Sequence, residues 1–159
     1  MQYDNGDGKF RLSGHPKPVY TEGKNIEVEF LSGCFMCYRK SVLEHVRIDT
    51  NIEFYDEDVD LSYRVSREYK CVYAHKACLN HKATPSGRDK SYIKSRDSIR
   101  SQIYIFRKNI PKEPINVITF FLSIIGFFIL RILTLDIRGF FGGIDGVLKW
   151  NLLERSVIP

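Results

Sequence analysis

With 159 residues, 43% of them hydrophobic and 13% aromatic, the chain has the size and content of one domain with an apolar core and lacks the composition of a disordered segment. Its formal net charge is +5, and the charge is unevenly placed: Lys82 to Lys112 carries nine basic residues against Asp89 and Asp97. Such a stripe suits an anionic partner (a phosphate group, a membrane surface or nucleic acid) or is a solvated helix face. In chain order, residues 1 to 24 are punctuated by Asn5-Gly6-Asp7-Gly8, Gly14, Pro16, Pro18 and Gly23, which predicts turns and extended loop. A calcium loop around Gly8 is excluded, because that register puts Tyr3 at the first ligand position and Gly14 where a bidentate Glu is needed. Ile26 to Leu31 alternates apolar and acidic residues and predicts a strand, Gly33 to Tyr38 a buried strand, and Ser41 to Val46 a short helix.

Asp56 to Tyr69 has a helix-forming composition with acids at its start and Arg64, Arg67 and Lys70 toward its end, a polarity that complements the helix dipole. Lys70 to Tyr73 and Ala77 to Leu79 are short strand candidates. Thr84-Pro85-Ser86-Gly87 breaks the chain before a basic helix from about Asp89 to Lys108. The first hundred residues therefore read as α/β and the remainder as helical. Val117 to Leu135 contains Arg131 as its only charge and approaches the length of a bilayer crossing, with Lys108, Lys112 and Arg138 as basic flanks. A spanning helix, a helix lying in the interface and a buried core helix all satisfy that pattern. Gly139, Gly143 and Gly146 follow at spacings that give a helix one smooth face, or mark a flexible loop.

The cysteines are Cys34, Cys37, Cys71 and Cys78. The second pair is too widely spaced for a zinc ribbon, and the apolar neighbours predict buried, inert thiols in a reduced, cytosolic setting. Residues 1 to 25 are polar rather than leader-like.

The chemistry-bearing segment is Tyr55-Asp56-Glu57-Asp58-Val59-Asp60-Leu61-Ser62-Tyr63-Arg64. On a helix, Asp56, Glu57 and Asp58 fall in the first turn, where unpartnered backbone N–H groups favour anions. Asp60 and Arg64 are spaced to pair along one face, and Val59, Tyr63 and Val65 offer apolar contacts to a sheet. A carboxylate at such an edge can take the proton of an acceptor hydroxyl as that oxygen attacks a sugar's anomeric carbon. Helix capping alone also explains an acidic first turn.

The segment resembles the Tyr-x-Glu-Asp-x-Asp-Leu-x-x-Arg pattern of family 2 glycosyltransferases, especially their rhamnosyltransferase-like branch, with Tyr55, Glu57, Asp58, Asp60, Leu61 and Arg64 matching position by position. Phe30 to Leu43 is similar to that family's segment of strand, Ser-Gly, apolar strand, basic pair and short helix, and His81 falls where the family carries a histidine. The resemblance covers roughly residues 20 to 110 and, more weakly, the tail containing Arg138-Gly139. It implies the acceptor-side, C-terminal half of a Rossmann-like GT-A domain over residues 1–110, while the apolar run within 111–159 predicts a helical, membrane-associated tail. It further implies Asp58 as base beside Glu57; Ser32, Gly33, Tyr55, Asp60, Arg64 and Arg88 near substrate; and His81 toward a divalent metal, magnesium or manganese.

The implied partners are a nucleotide-sugar donor and a glycan or lipid-linked acceptor, handled at the cytoplasmic side of the cell membrane. Two departures stand out. Val46, Arg47 and Ile48 replace the family's Gly and aromatic ahead of Asp49, and Glu53 replaces an aromatic. The family's donor-binding strands and Asp-x-Asp motif are also missing from these residues, since Asp58-Val59-Asp60 has that spelling on a helix. The expectation is therefore a half-enzyme completed by a separate or upstream N-terminal half. The competing expectation is a noncatalytic membrane-associated interaction module. Nucleic-acid binding is not expected, because Tyr92 and Tyr104 are the only notable rings in the basic stripe.

Overall fold

The computed structural model describes residues 7–19, 23–52, 55–80, 82 and 91–150. The chain forms two compact units. The first comprises residues 1–11, 15–49 and 57–82, and the second residues 12–14, 50–56 and 83–159. Helix dominates, and among the described residues the strands form one small antiparallel sheet, which bears out α/β only in its coarsest sense.

In the first unit, β1 (Ile26–Val28) pairs with β2 (Cys71–Tyr73), Val28 opposite Cys71 and Glu27 opposite Val72. The period of two puts Val28 and Cys71 inside and Glu27 and Val72 outside. Helix α1 (Lys40–His45) contributes Val42 to the core, and α2 (Glu57–Glu68) contributes Leu61 and Val65. Leu61 and Val65 are spaced i, i+4 and so share one face of α2. Gly8 closes the far side with φ +66°, and a Cβ there would stand 2.6 Å from both Val19 and Val28. Only glycine combines that backbone with that space. The carbonyl of Gly8 accepts from the N–H groups of Glu29 and Phe30, tying the loop to the end of β1.

The expected strand over Ile26 to Leu31 ends early, at Val28. The expected buried strand over Gly33 to Tyr38 is not formed: the Phe35 N–H folds back on the Ser32 carbonyl at 3.1 Å, and Phe35 is 52% exposed. Ala77 to Leu79 is likewise no strand, because the Ala77 N–H closes a turn on Ala74. Of the four thiols only Cys71 is buried, so the expectation of inert, buried cysteines fails for Cys34, Cys37 and Cys78. These three lie on turn and loop residues, whose alternation carries no inside and outside.

In the second unit, α3 (Ser91–Asn109), α4 (Pro114–Leu133) and α5 (Ile137–Leu148) form a helical layer. The glycines expected to make a smooth face do so, joined by Gly142: Gly139, Gly142, Gly143 and Gly146 are all buried on α5. A Cβ at Gly146 would stand 2.5 Å from the Arg96 carbonyl oxygen, so the α5 backbone lies directly on α3. Asp136 caps α5, accepting the Gly139 N–H at 2.8 Å, the Ser91 hydroxyl at 2.5 Å and the Arg131 guanidinium at 2.8 Å. The basic helix expected from Asp89 thus belongs with the tail helices rather than with the sheet.

Candidate functional site

The acidic helix begins at Glu57, one residue later than expected, because Tyr55 and Asp56 take positive φ of 63° and 67°. Asp56 therefore lies outside the helix, and the acids of its first turn are Glu57, Asp58 and Asp60.

Asp58 meets the Ser32-Gly33 turn. The Gly33 N–H donates to Asp58 Oδ2 at 2.6 Å, a short contact of the kind a carboxylate acceptor favours. Ser32 Oγ accepts from the Cys34 N–H at 3.5 Å. One turn after Asp58, the Ser62 hydroxyl donates to the Leu31 carbonyl at 3.2 Å, accepts the Leu31 N–H at 3.1 Å, and lies 3.2 Å from the Tyr38 hydroxyl. Ser62 is fully buried, so these bonds hold the Leu31–Gly33 backbone along the face of α2 that carries Asp58. Burial pushes the Tyr38 phenol up from its ordinary value, against the opposing bond to Ser62. Sequence reading missed Ser62, although its i, i+4 relation to Asp58 was a usable signal.

Asp60, placed by the resemblance near substrate, has no solvent exposure. Its Oδ2 accepts both Arg64 Nε at 2.9 Å and Arg64 Nη2 at 2.6 Å. The pair braces the helix from inside and offers a ligand almost no carboxylate surface. Farther along α2, Arg67 bonds Glu29 at 2.8 Å and lies over the Tyr63 ring at 4.7 Å, while Tyr63 meets the edge of Phe10 at 5.0 Å.

Glu57 is exposed on the same first turn. Beside Ser32 opens a groove of about 570 Å³, walled by Cys34, Phe35, Met36, Val72 and Leu79 and mostly apolar. Ser32, Gly33, Glu57 and Asp58 are thus brought to one edge of the first unit, with Asp60 and Arg64 beneath. Tyr55 falls in the second unit. His81 and Arg88 lie outside the described residues.

Among the described residues no group of three His, Cys, Asp or Glu side chains could hold a metal ion. The divalent cation expected from the resemblance was assigned to His81, which lies outside the described residues. What the edge can do chemically is accept a further hydrogen bond: Asp58 Oδ2 is fixed by Gly33, and Oδ1 has no hydrogen-bond donor among the described residues. No family model, curated protein or solved structure matches the chain.

Proposed function

We propose that the chain is the acceptor-side half of an inverting glycosyltransferase of the family 2, GT-A type. The observation that supports this most is the 2.6 Å bond between Gly33 and Asp58, which joins two sequence blocks that the resemblance independently assigns to the acceptor edge. In this reading the acceptor hydroxyl approaches Asp58 Oδ1. Its proton passes to the carboxylate as its oxygen bonds to the anomeric carbon, and the bond from that carbon to the nucleoside diphosphate breaks. Gly33 keeps the carboxylate oriented, which lowers the cost of positioning at the moment of attack. Glu57 and Ser32 border the acceptor, and Asp60 with Arg64 stiffens the helix below it. Donor binding, and any divalent metal that accompanies it, falls to an N-terminal half.

The test joins this chain to a donor-binding N-terminal half of the same type and follows sugar transfer from a nucleotide-sugar to a glycan or lipid-linked acceptor. Transfer is expected, and Asp58→Asn is expected to reduce it by about two to four orders of magnitude with the circular dichroism spectrum unchanged. Full activity in that variant would remove Asp58 as base. A second reading, a noncatalytic membrane-associated interaction module, is favoured by the length and apolar character of α4. It predicts lipid binding with no transfer in any assembled form.

A further inference from the structure

The helical unit decides between ways of meeting a bilayer that the sequence leaves open. Helices α3 and α5 run parallel: Ser91 bonds Asp136 at their starts, Gly146 abuts Arg96 midway, and Arg107 lies 4.0 Å over the Trp150 ring beyond the end of α5. Helix α4 returns antiparallel between the same two levels. Near its start Phe120 stacks on Phe106 of α3 at 4.1 Å, in its second half Phe128 meets Phe140 of α5 at 5.3 Å, and at its end Arg131 bonds Asp136 at 2.8 Å. One end of α4 is therefore held to α3 by the Phe120–Phe106 stack, and the other to Asp136 at the start of α5, which also bonds Ser91 of α3.

At 1.5 Å per residue α4 is about 30 Å long, equal to the hydrocarbon thickness of a bilayer, and α3 is nearly as long. If α4 crossed the membrane, α3 would be drawn into the hydrocarbon beside it. That helix carries Lys94, Arg96, Asp97 and Arg100 in its first half and Arg107 and Lys108 at its end. Charges at bilayer depth are unfavourable, and six on one helix oppose that placement even with Asp97 paired to Arg96 and Arg100.

The outer face of α4 nevertheless suits lipid. Ile118, Phe121, Leu122, Ile125, Ile129 and Ile132 are each 50 to 60% exposed and recur at helical spacing along its whole length. The hydroxyls of Thr119 and Ser123 are bonded to carbonyls of their own helix at Ile115 and Phe120, so neither needs water. Basic side chains stand near both ends: Lys112 is bonded to the carbonyls of Phe106 and Ile110 and Arg131 to Asp136, while Lys108 and Arg138 are exposed where a plane of anionic headgroups would meet them.

We propose that α4 lies in the plane of one leaflet, its apolar stripe at the boundary of headgroups and acyl chains, making the protein monotopic rather than transmembrane. This rests on membrane association but not on sugar transfer.

The test uses the full chain with its four cysteines replaced by serine and single cysteines at Ile118, Ile125 or Ile132, labelled with bimane and added to preformed vesicles of equal parts phosphatidylcholine and phosphatidylglycerol. Flotation with the vesicles is expected, with equal quenching at the three positions by shallow doxyl lipids and weaker quenching by deep ones. Leu122→Asp combined with Ile125→Asp is expected to cut the bound fraction at least tenfold while the circular dichroism spectrum is kept. Flotation with Ile125 quenched from greater depth than Ile118 and Ile132 overturns the in-plane placement and leaves membrane association standing. A soluble monomer, or a soluble dimer with the stripe covered by a second copy, and no flotation in either case, overturns both.

Discussion

Gly33 and Asp58 are separated by 25 residues of sequence, yet the backbone N–H of the first lies 2.6 Å from a carboxylate oxygen of the second. The contact is tight in a second sense: a Cβ on residue 33 would stand 3.2 Å from both Cβ and Oδ2 of Asp58. The glycine lets a backbone donor reach the carboxylate with no side chain between them.

Gly33→Ala should therefore displace the Asp58 carboxylate by a few tenths of an ångström without unfolding the chain. In the assembled transferase the rate of transfer is expected to fall about tenfold, because misplacing a reacting group by a fraction of an ångström is costly. Stability should change by less than about 1 kcal/mol, as for most substitutions at exposed turns. Steady-state rates and a thermal melt check this together, and an unchanged rate would mean that the placement of Asp58 is irrelevant to the activity.

Arg64→Ala is expected to cost roughly 3–5 kcal/mol, because it leaves the Asp60 carboxylate buried without its cation. The double variant Asp60→Asn with Arg64→Leu should be closer to the parent than Arg64→Ala alone, since it removes both charges. Urea denaturation of the three proteins measures the difference. A single-variant cost below about 1 kcal/mol would show that the pair behaves like an exposed surface bridge.

The Asp136 carboxyl is held below its ordinary value, first by the Ser91 hydroxyl, then by the Gly139 N–H and by Arg131, against partial desolvation. A carboxylate whose folded value is depressed contributes stability above its unfolded value of about 3.9, and that contribution is lost as pH falls through the lower, folded one. Asp136→Asn keeps a competent helix cap but removes the titration. Its melting temperature should therefore fall less between neutral pH and about pH 3 than the parent's does. Identical acid sensitivity in the two proteins would rule out Asp136 as a contributor.

Helices α1 to α4 were legible because each carries its own local signal, whereas the glycines of α5 fitted a helix or a loop. Acids at the start and bases at the end mark α2, Thr84-Pro85-Ser86-Gly87 announces α3, and unbroken apolar sequence marks α4. Glycine spacing also foretold the contact face of α5. Errors came where a short apolar run met a turn. Gly33 to Tyr38 reads as a strand by composition, but the Phe35 N–H bonds Ser32 and the Leu31–Gly33 backbone is taken by Ser62 and Asp58. Cys34 and Cys37 are exposed for the same reason.

By itself the sequence determined the order of the helices, the clustering of carboxylates at the start of one of them, and the presence of a helix apolar enough for lipid. These depend on residues within a turn or two of each other. Only the tertiary structure decided that Asp60 is spent on Arg64, that Ser62 holds the turn beside Asp58, and that α4 joins a charged helix of nearly equal length through the Phe106–Phe120 stack at one end and by way of Asp136 at the other. The last two rest on contacts between distant parts of the chain, 31 residues apart for Leu31 and Ser62 and 45 for Ser91 and Asp136. Burial of Asp60 likewise depends on what packs over its helix face. A periodic pattern states which face of an element is apolar or charged, whereas the partner of that face is set by which distant surfaces pack most closely.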